Sequence, residues 1–145
     1  MLDNLKLTGA IEWLVREFEQ RLDIGCQLDI NTKSLVRLDQ KDETNIFRII
    51  QEAFTNIARH AQATAVEINI AETDENIMIE IKDNGIGITR QQLLNPESFG
   101  ILGMYERTKQ LEGKLQISGT PSHGSSVQLQ IPLVCCPDRR GQSRP

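Results

Sequence analysis

Residues 79–88 read IEIKDNGIGI, and the fold turns on how this stretch ends. Ile77, Ile79 and Ile81 recur with period two, so they share one face of a strand, and Asp83 continues the same inward series. A lone carboxylate in a core-facing slot needs a hydrogen-bonding partner. Asn84-Gly85 favours a hairpin turn, yet the following ITRQQLLNPESFG does not return as an alternating strand. The sequence therefore leaves a carboxylate at a strand end beside Gly85 and Gly87, which let another group approach the backbone closely. A ligand with a hydrogen-bond donor would satisfy it.

Working outward, Thr8 reads as a helix N-cap, followed by Ile11, Leu14, Val15, Phe18 and Leu22 at helical spacing, with residues 23–25 as the stop. Cys26, Leu28 and Ile30 alternate as a half-buried strand. A second helix opens in the acid-rich DQKDE, which suits a helix amino terminus, and runs to about His60. Its predicted buried face is Ile46, Phe47, Ile50, Ala53, Phe54, Ile57 and Ala61. Strands are predicted over 66–70, 77–81 and 127–131, with a shorter one at Leu115 and Ile117. Residues 100–112 read as a helix with Gly113 as its C-terminal glycine.

Each strand is apolar on one side only, whereas a sheet buried between two helical layers shows near-continuous hydrophobic strands. The expected class is therefore α+β: a two-layer α/β sandwich with a mixed, mostly antiparallel sheet and helices on one face.

The chain has 145 residues, enough for one domain with a real core. A formal charge of -4 and only 4% aromatic residues argue against a nucleic-acid surface. No apolar run reaches membrane-spanning length and the amino terminus lacks a signal-peptide layout, so a soluble, cytoplasmic protein is expected. Cys26, Cys135 and Cys136 form no C-x-x-C pair and read as reduced thiols, with a vicinal disulfide at the last two as the alternative. The tail 135–145 has turn residues and charge without periodicity and reads as disordered.

Beyond Asp83, Glu52 and Asn56 in QEAFTNIARHA lie four apart on one helix face, with Arg48 and Arg59 near it. Alone, that is a solvated face laced with weak ion pairs. In SFGILGM, Gly100 and Gly103 sit where a loop feeds a helix, whose free amides attract phosphate; alone, they are loop glycines. GTPSHGSS precedes the last strand. No G-x-x-x-x-G-K-[ST] loop is present.

Order and spacing together are more specific than any piece. Glu52 and Asn56 on a helix, then DNGIG, then GILGM, then GTPSHGSS before a final strand resembles the N, G1, G2 and G3 boxes of the GHKL ATP-binding fold, shared by sensor histidine kinases, gyrase-type ATPases and MutL. QEAFTNIARHAQA, FGILGMYERTKQLEGKLQISG and the opening LDNLKLTGAIEWLVREFEQRLDI resemble the nitrate-sensor-like bacterial histidine kinases, whose catalytic domains carry a short nucleotide lid.

The resemblance implies residues 1–8 as the end of a linker from dimerisation helices, 9–134 as the ATP-binding catalytic domain and 135–145 as a disordered tail. It implies ATP and Mg²⁺ as ligands, with Asp83 accepting from the adenine amino group and Ser125 joining it through a water. Glu52 becomes the catalytic carboxylate, Asn56 the Mg²⁺ ligand, and Arg59 or His60 a phosphate contact. Gly85, Gly87 and Ile88 shape the adenine pocket, while Gly100, Ile101, Leu102, Gly103 and Met104 border the lid, 88–99.

The implied activity is that of a histidine protein kinase, with transfer to an acceptor histidine outside this chain, because neither His60 nor His123 suits that role. The implied partners are an acceptor-histidine dimerisation domain and, indirectly, a response regulator. The piece is expected to be monomeric and the parent a homodimer, a state compatible with membrane anchoring of the parent. A free-standing GHKL serine kinase of the anti-sigma-factor type and a nucleotide-binding module without catalysis are the rival readings.

Overall fold

The computed structural model describes residues 2–31, 38–73, 75–87, 100–120 and 122–132, with the side chains of residues 2–6, 60 and 61 outside that description. The tail with Cys135 and Cys136, the lid and Ile88 also lie outside it. In chain order the elements are α1 (Leu2–Leu22), β1 (Gly25–Asn31), α2 (Gln40–Asn56), a wide π-helical turn (Ile57–Ala61), β2 (Ala65–Glu72), β3 (Asn76–Asp83), α3 (Ile101–Gln110), β4 (Lys114–Thr120) and β5 (Gly124–Pro132).

The strands form one sheet in the order β1-β2-β3-β5-β4. β1 and β2 run parallel, and every other neighbouring pair is antiparallel. A parallel pair needs a long crossover, and α2 supplies it, so the helix is laid across the sheet by the topology itself. The inward residues Ile68, Ile70, Ile77, Ile79, Ile81, Leu129 and Ile131 are all buried. Their sequence neighbours face solvent, as one-sided alternation requires.

Helices cover the inner face. Asp39 caps α2, its Oδ1 accepting from the Asp42 N–H at 2.8 Å, and Asp42 and Glu43 place negative charge at the positive end of the helix. Ile46, Ile49, Ile50, Ala53 and Phe54 form its buried stripe. Phe18 of α1 meets Phe54 with ring centroids 4.8 Å apart, a tilted aromatic contact that contributes about 1 kcal/mol beyond area burial.

Three local readings are corrected. Thr8 is not an N-cap: α1 begins at Leu2, and Leu7, with 0% exposure, already packs in the core. Phe47 is only partly buried, while Ile49 takes the place in the stripe. At the end of α3 the left-handed residue is Glu112 (φ 58°) rather than Gly113.

Candidate functional site

Asp83 lies on the core face with 7% exposure, as its parity requires. Its partners are within the protein: the Gly85 N–H donates to Oδ1 (2.8 Å) and the Ser125 hydroxyl donates to Oδ2 (2.6 Å). The second bond joins the two side chains directly. Each oxygen keeps a further lone pair, so the carboxylate is positioned yet can still accept from a ligand.

The strand register explains the meeting. Cys26 stands beside Val66, Val66 beside Asp83, Lys82 beside Ser126, and Ser125 beside Gly119. One step beyond the Lys82–Ser126 pair, Asp83 and Ser125 occupy one row across the end of the sheet. Gly124 turns this corner at φ 95°, and a Cβ there would collide with the Asp83 carbonyl oxygen and approach Asn84 Cα to 3.0 Å. Only glycine fits at that position. Gly87 makes a similar close approach to Thr120.

Asn84, which the sequence offered only as a turn former, ties the row together. Its Oδ1 accepts from the Thr64 and Ala65 N–H groups (2.9 and 3.0 Å), and its Nδ2 donates to Thr64 Oγ1 (2.9 Å). The end of β3 is thereby clamped to the start of β2, where the chain arrives from α2. The carboxyl end of α2, with Asn56, is delivered to the same end of the sheet as Asp83.

A second cluster lies between α2 and α3, in a cleft of about 350 Å³ lined by Arg48, Gln51, Glu52, Gly100, Gly103, Met104 and Arg107. Gly100 caps α3 at φ 61°, and any Cβ there would run into the Glu52 carboxylate. Glu52 therefore sits against the amino end of α3. Arg48 does not pair with Glu52 as the helix-face reading suggested; its Nη1 donates to Gln51 Oε1 (3.0 Å).

Asn56 stands one turn from Glu52, and its side chain makes no capping bond to the turn that follows. Ile101 and Met104 are buried on α3, whereas Leu102 is 60% exposed. Arg59 is placed elsewhere: it lines a different cleft, with Leu14, Phe18, Arg21 and Phe54, on the α1 side of α2. The π-helical turn accounts for this. Its residues advance by less than the ~100° of an α-helix, so Arg59 lags behind the stripe carrying Glu52 and Asn56. The His60 side chain is among those not described.

Cys26 borders the Asp83 end. Its N–H donates to Glu19 Oε2 (3.0 Å); burial, and then the Glu19 carboxylate, push its thiol up to about 11. It is a poor nucleophile at neutral pH.

Residues 41–134 match the family described as Histidine kinase-, DNA gyrase B-, and HSP90-like ATPase. The chain is similar to the oxygen sensor histidine kinase NreB of Staphylococcus carnosus, 31% identical over 133 residues, which are 92% of this chain and 38% of that protein. It is also similar to the signal transduction histidine-protein kinase/phosphatase DegS of Brevibacillus brevis, 33% identical over 133 residues, 92% of this chain and 34% of that one. The chain thus spans little more than a third of these relatives. In fold it resembles the blue-light activated histidine kinase of Erythrobacter litoralis EL346, with a TM-score of 0.72 at 19% identity over 85% of this chain and 40% of that chain. Because the family match runs from the first turn of α2 past the end of β5, it takes in Asp83 and Ser125 as well as the α2–α3 cleft, and the chain belongs to the histidine kinase-, DNA gyrase B- and HSP90-like ATPase family.

Proposed function

We propose that this chain is the ATP-binding catalytic domain of a two-component sensor histidine kinase, binding Mg-ATP and donating its γ-phosphate to a histidine on a separate dimerisation domain. The observation that carries the reading is Asp83: a carboxylate on the core face, fixed by the Gly85 N–H and the Ser125 hydroxyl, with acceptor capacity left for the exocyclic amine of adenine. Its two bonds fix the carboxylate's orientation, and a purine presenting an acceptor in the amine's place would set lone pair against lone pair. The likeness to the histidine kinases NreB and DegS supports a histidine kinase over a serine kinase.

The residues present suit magnesium carried by the nucleotide. Among the described residues no three His, Cys, Asp or Glu side chains cluster as a metal site, so Asn56 would offer one oxygen and leave the rest of the shell to phosphate and water, as magnesium prefers. Held by Asn56, the ion would supply neutralisation of the phosphate charge. Asn56 orients the phosphates. Glu52, held at the start of α3, accepts the proton from, or orients, the incoming imidazole. A cytoplasmic location, a monomeric isolated domain, a homodimeric parent and onward transfer to a response regulator belong to the same proposal.

The test is incubation with radiolabelled Mg-ATP and the parent's dimerisation domain supplied in trans. The expected product is acid-labile, base-stable phosphohistidine on the added domain. Glu52→Gln should keep Mg-ATP affinity and lose transfer, whereas Asn56→Ala should weaken the magnesium dependence of binding. Acid-stable phosphoserine as the product would sink the histidine kinase reading.

A further inference from the structure

The cleft between α2 and α3 holds two guanidinium groups that the roles above do not use. Arg48 is exposed on α2, one turn before Glu52, and bonds Gln51. Arg107 on α3 is half-buried, and its Nη1 donates to Asn45 Oδ1 (3.3 Å). Asn45, only 4% exposed, donates in turn from Nδ2 to Gln110 Oε1 (3.2 Å). Both guanidiniums are thus anchored by neutral amide oxygens, and among the described residues neither enters an ion pair. Each retains free donors out of five, and the two positive charges face one cleft with Glu52 as the acid in its lining. Among the described residues, a Cβ on Gly103 would meet nothing within 4 Å.

Position says which anion the pair would meet. Arg48, Glu52 and Asn56 follow one another at four-residue intervals, about 6 Å apart along the helix axis. The Asn56 end is the one brought to Asp83, by way of the Asn84 clamp. A nucleotide with its base at Asp83 and its phosphates along α2 therefore extends its terminal phosphate toward the arginines. Guanidinium forks match phosphate oxygens in geometry and charge. Resting on the nucleotide reading, we propose that Arg48 and Arg107 form a terminal-phosphate subsite through which the protein distinguishes ATP from ADP.

The experiment is calorimetric titration of the protein, R48A and R107A with Mg-ATP and with Mg-ADP. Each substitution should weaken Mg-ATP roughly tenfold or more and shift Mg-ADP by less than about twofold, as loss of a charge-assisted bond to one phosphate predicts. R107A also frees buried Asn45, so R48A, which disturbs only a surface bond to Gln51, carries the test, with retained Mg-ADP binding reporting an intact fold. Equal weakening of both nucleotides would overturn the subsite. So would unchanged Mg-ATP affinity in R48A, which would leave the arginines to a carboxylate on a protein partner. If the unmodified protein bound neither nucleotide, the nucleotide reading itself would fall, and the subsite with it.

Discussion

Asp83 is held by a backbone N–H and by a hydroxyl from the adjoining strand, whereas Arg48 and Arg107 are both held by side-chain amides of α2. Groups fixed through strand register cannot shift unless the sheet shifts, so the Asp83 row suits recognition of a rigid shape. Groups fixed through side chains can follow a ligand over short distances, and the α2–α3 cleft suits charge that moves as a bond breaks. The same contrast appears in the glycines: Gly124 is pressed against Asp83, and among the described residues nothing lies within 4 Å of a Cβ on Gly103.

The largest effect is expected where the sheet end is tightest. Gly124→Ala forces a side chain onto the Asp83 carbonyl at φ 95° and should destabilise the protein by about 3 kcal/mol in urea unfolding; a loss below about 1 kcal/mol would mean that this corner is softer than its geometry. Asp83→Asn keeps the shape but turns a donor toward the adenine amine. Calorimetry should find roughly hundredfold weaker nucleotide binding with unchanged circular dichroism, equivalent to about 3 kcal/mol. Asn84→Ala removes three side-chain bonds and should cost about 2 kcal/mol in the same unfolding assay.

On the other side of the comparison, Gly103→Ala in α3 should stabilise by about 0.5 to 1 kcal/mol, because the helix gains propensity and the added methyl has room. Destabilisation there would show that the cleft is packed after all. The smallest effect concerns Cys26. Burial, and then the Glu19 carboxylate, push its thiol up from 9.0 to about 11, so the native state holds the proton more tightly. That contribution is complete below pH 9 and is lost as pH rises from 9 toward 11. Urea midpoints at pH 8 and pH 10 should fall slightly further for the protein than for Cys26→Ala.

The sheet was legible in the sequence because one-sided burial imposes strict alternation, and the inward place of Asp83 followed from counting along β3. What was not legible depended on partners distant in the chain. Asn84 carries the local signature of a turn, yet its partners Thr64 and Ala65 lie about twenty residues away, where the chain enters β2. Arg107 and Asn45 meet across 62 residues, so the Arg48 face looked like an isolated stripe. Thr8 can cap or continue a helix equally well, and burial of Leu7 decides for continuation. Arg59 looked aligned with Glu52 and Asn56 because sequence spacing assumes an α-helix, while the chain widens after Asn56.

The row from Cys26 through Val66, Asp83 and Ser125 to Gly119 is read across strands rather than along the chain, and its central bond joins residues 42 apart. Closing such long loops costs entropy before any contact repays it. The row can therefore form only when β1, β2, β3, β5 and β4 have all found their neighbours, which places it late on the folding route. A ligand that recognises the completed row binds the finished protein and none of its precursors, so it raises the unfolding barrier without hastening the search.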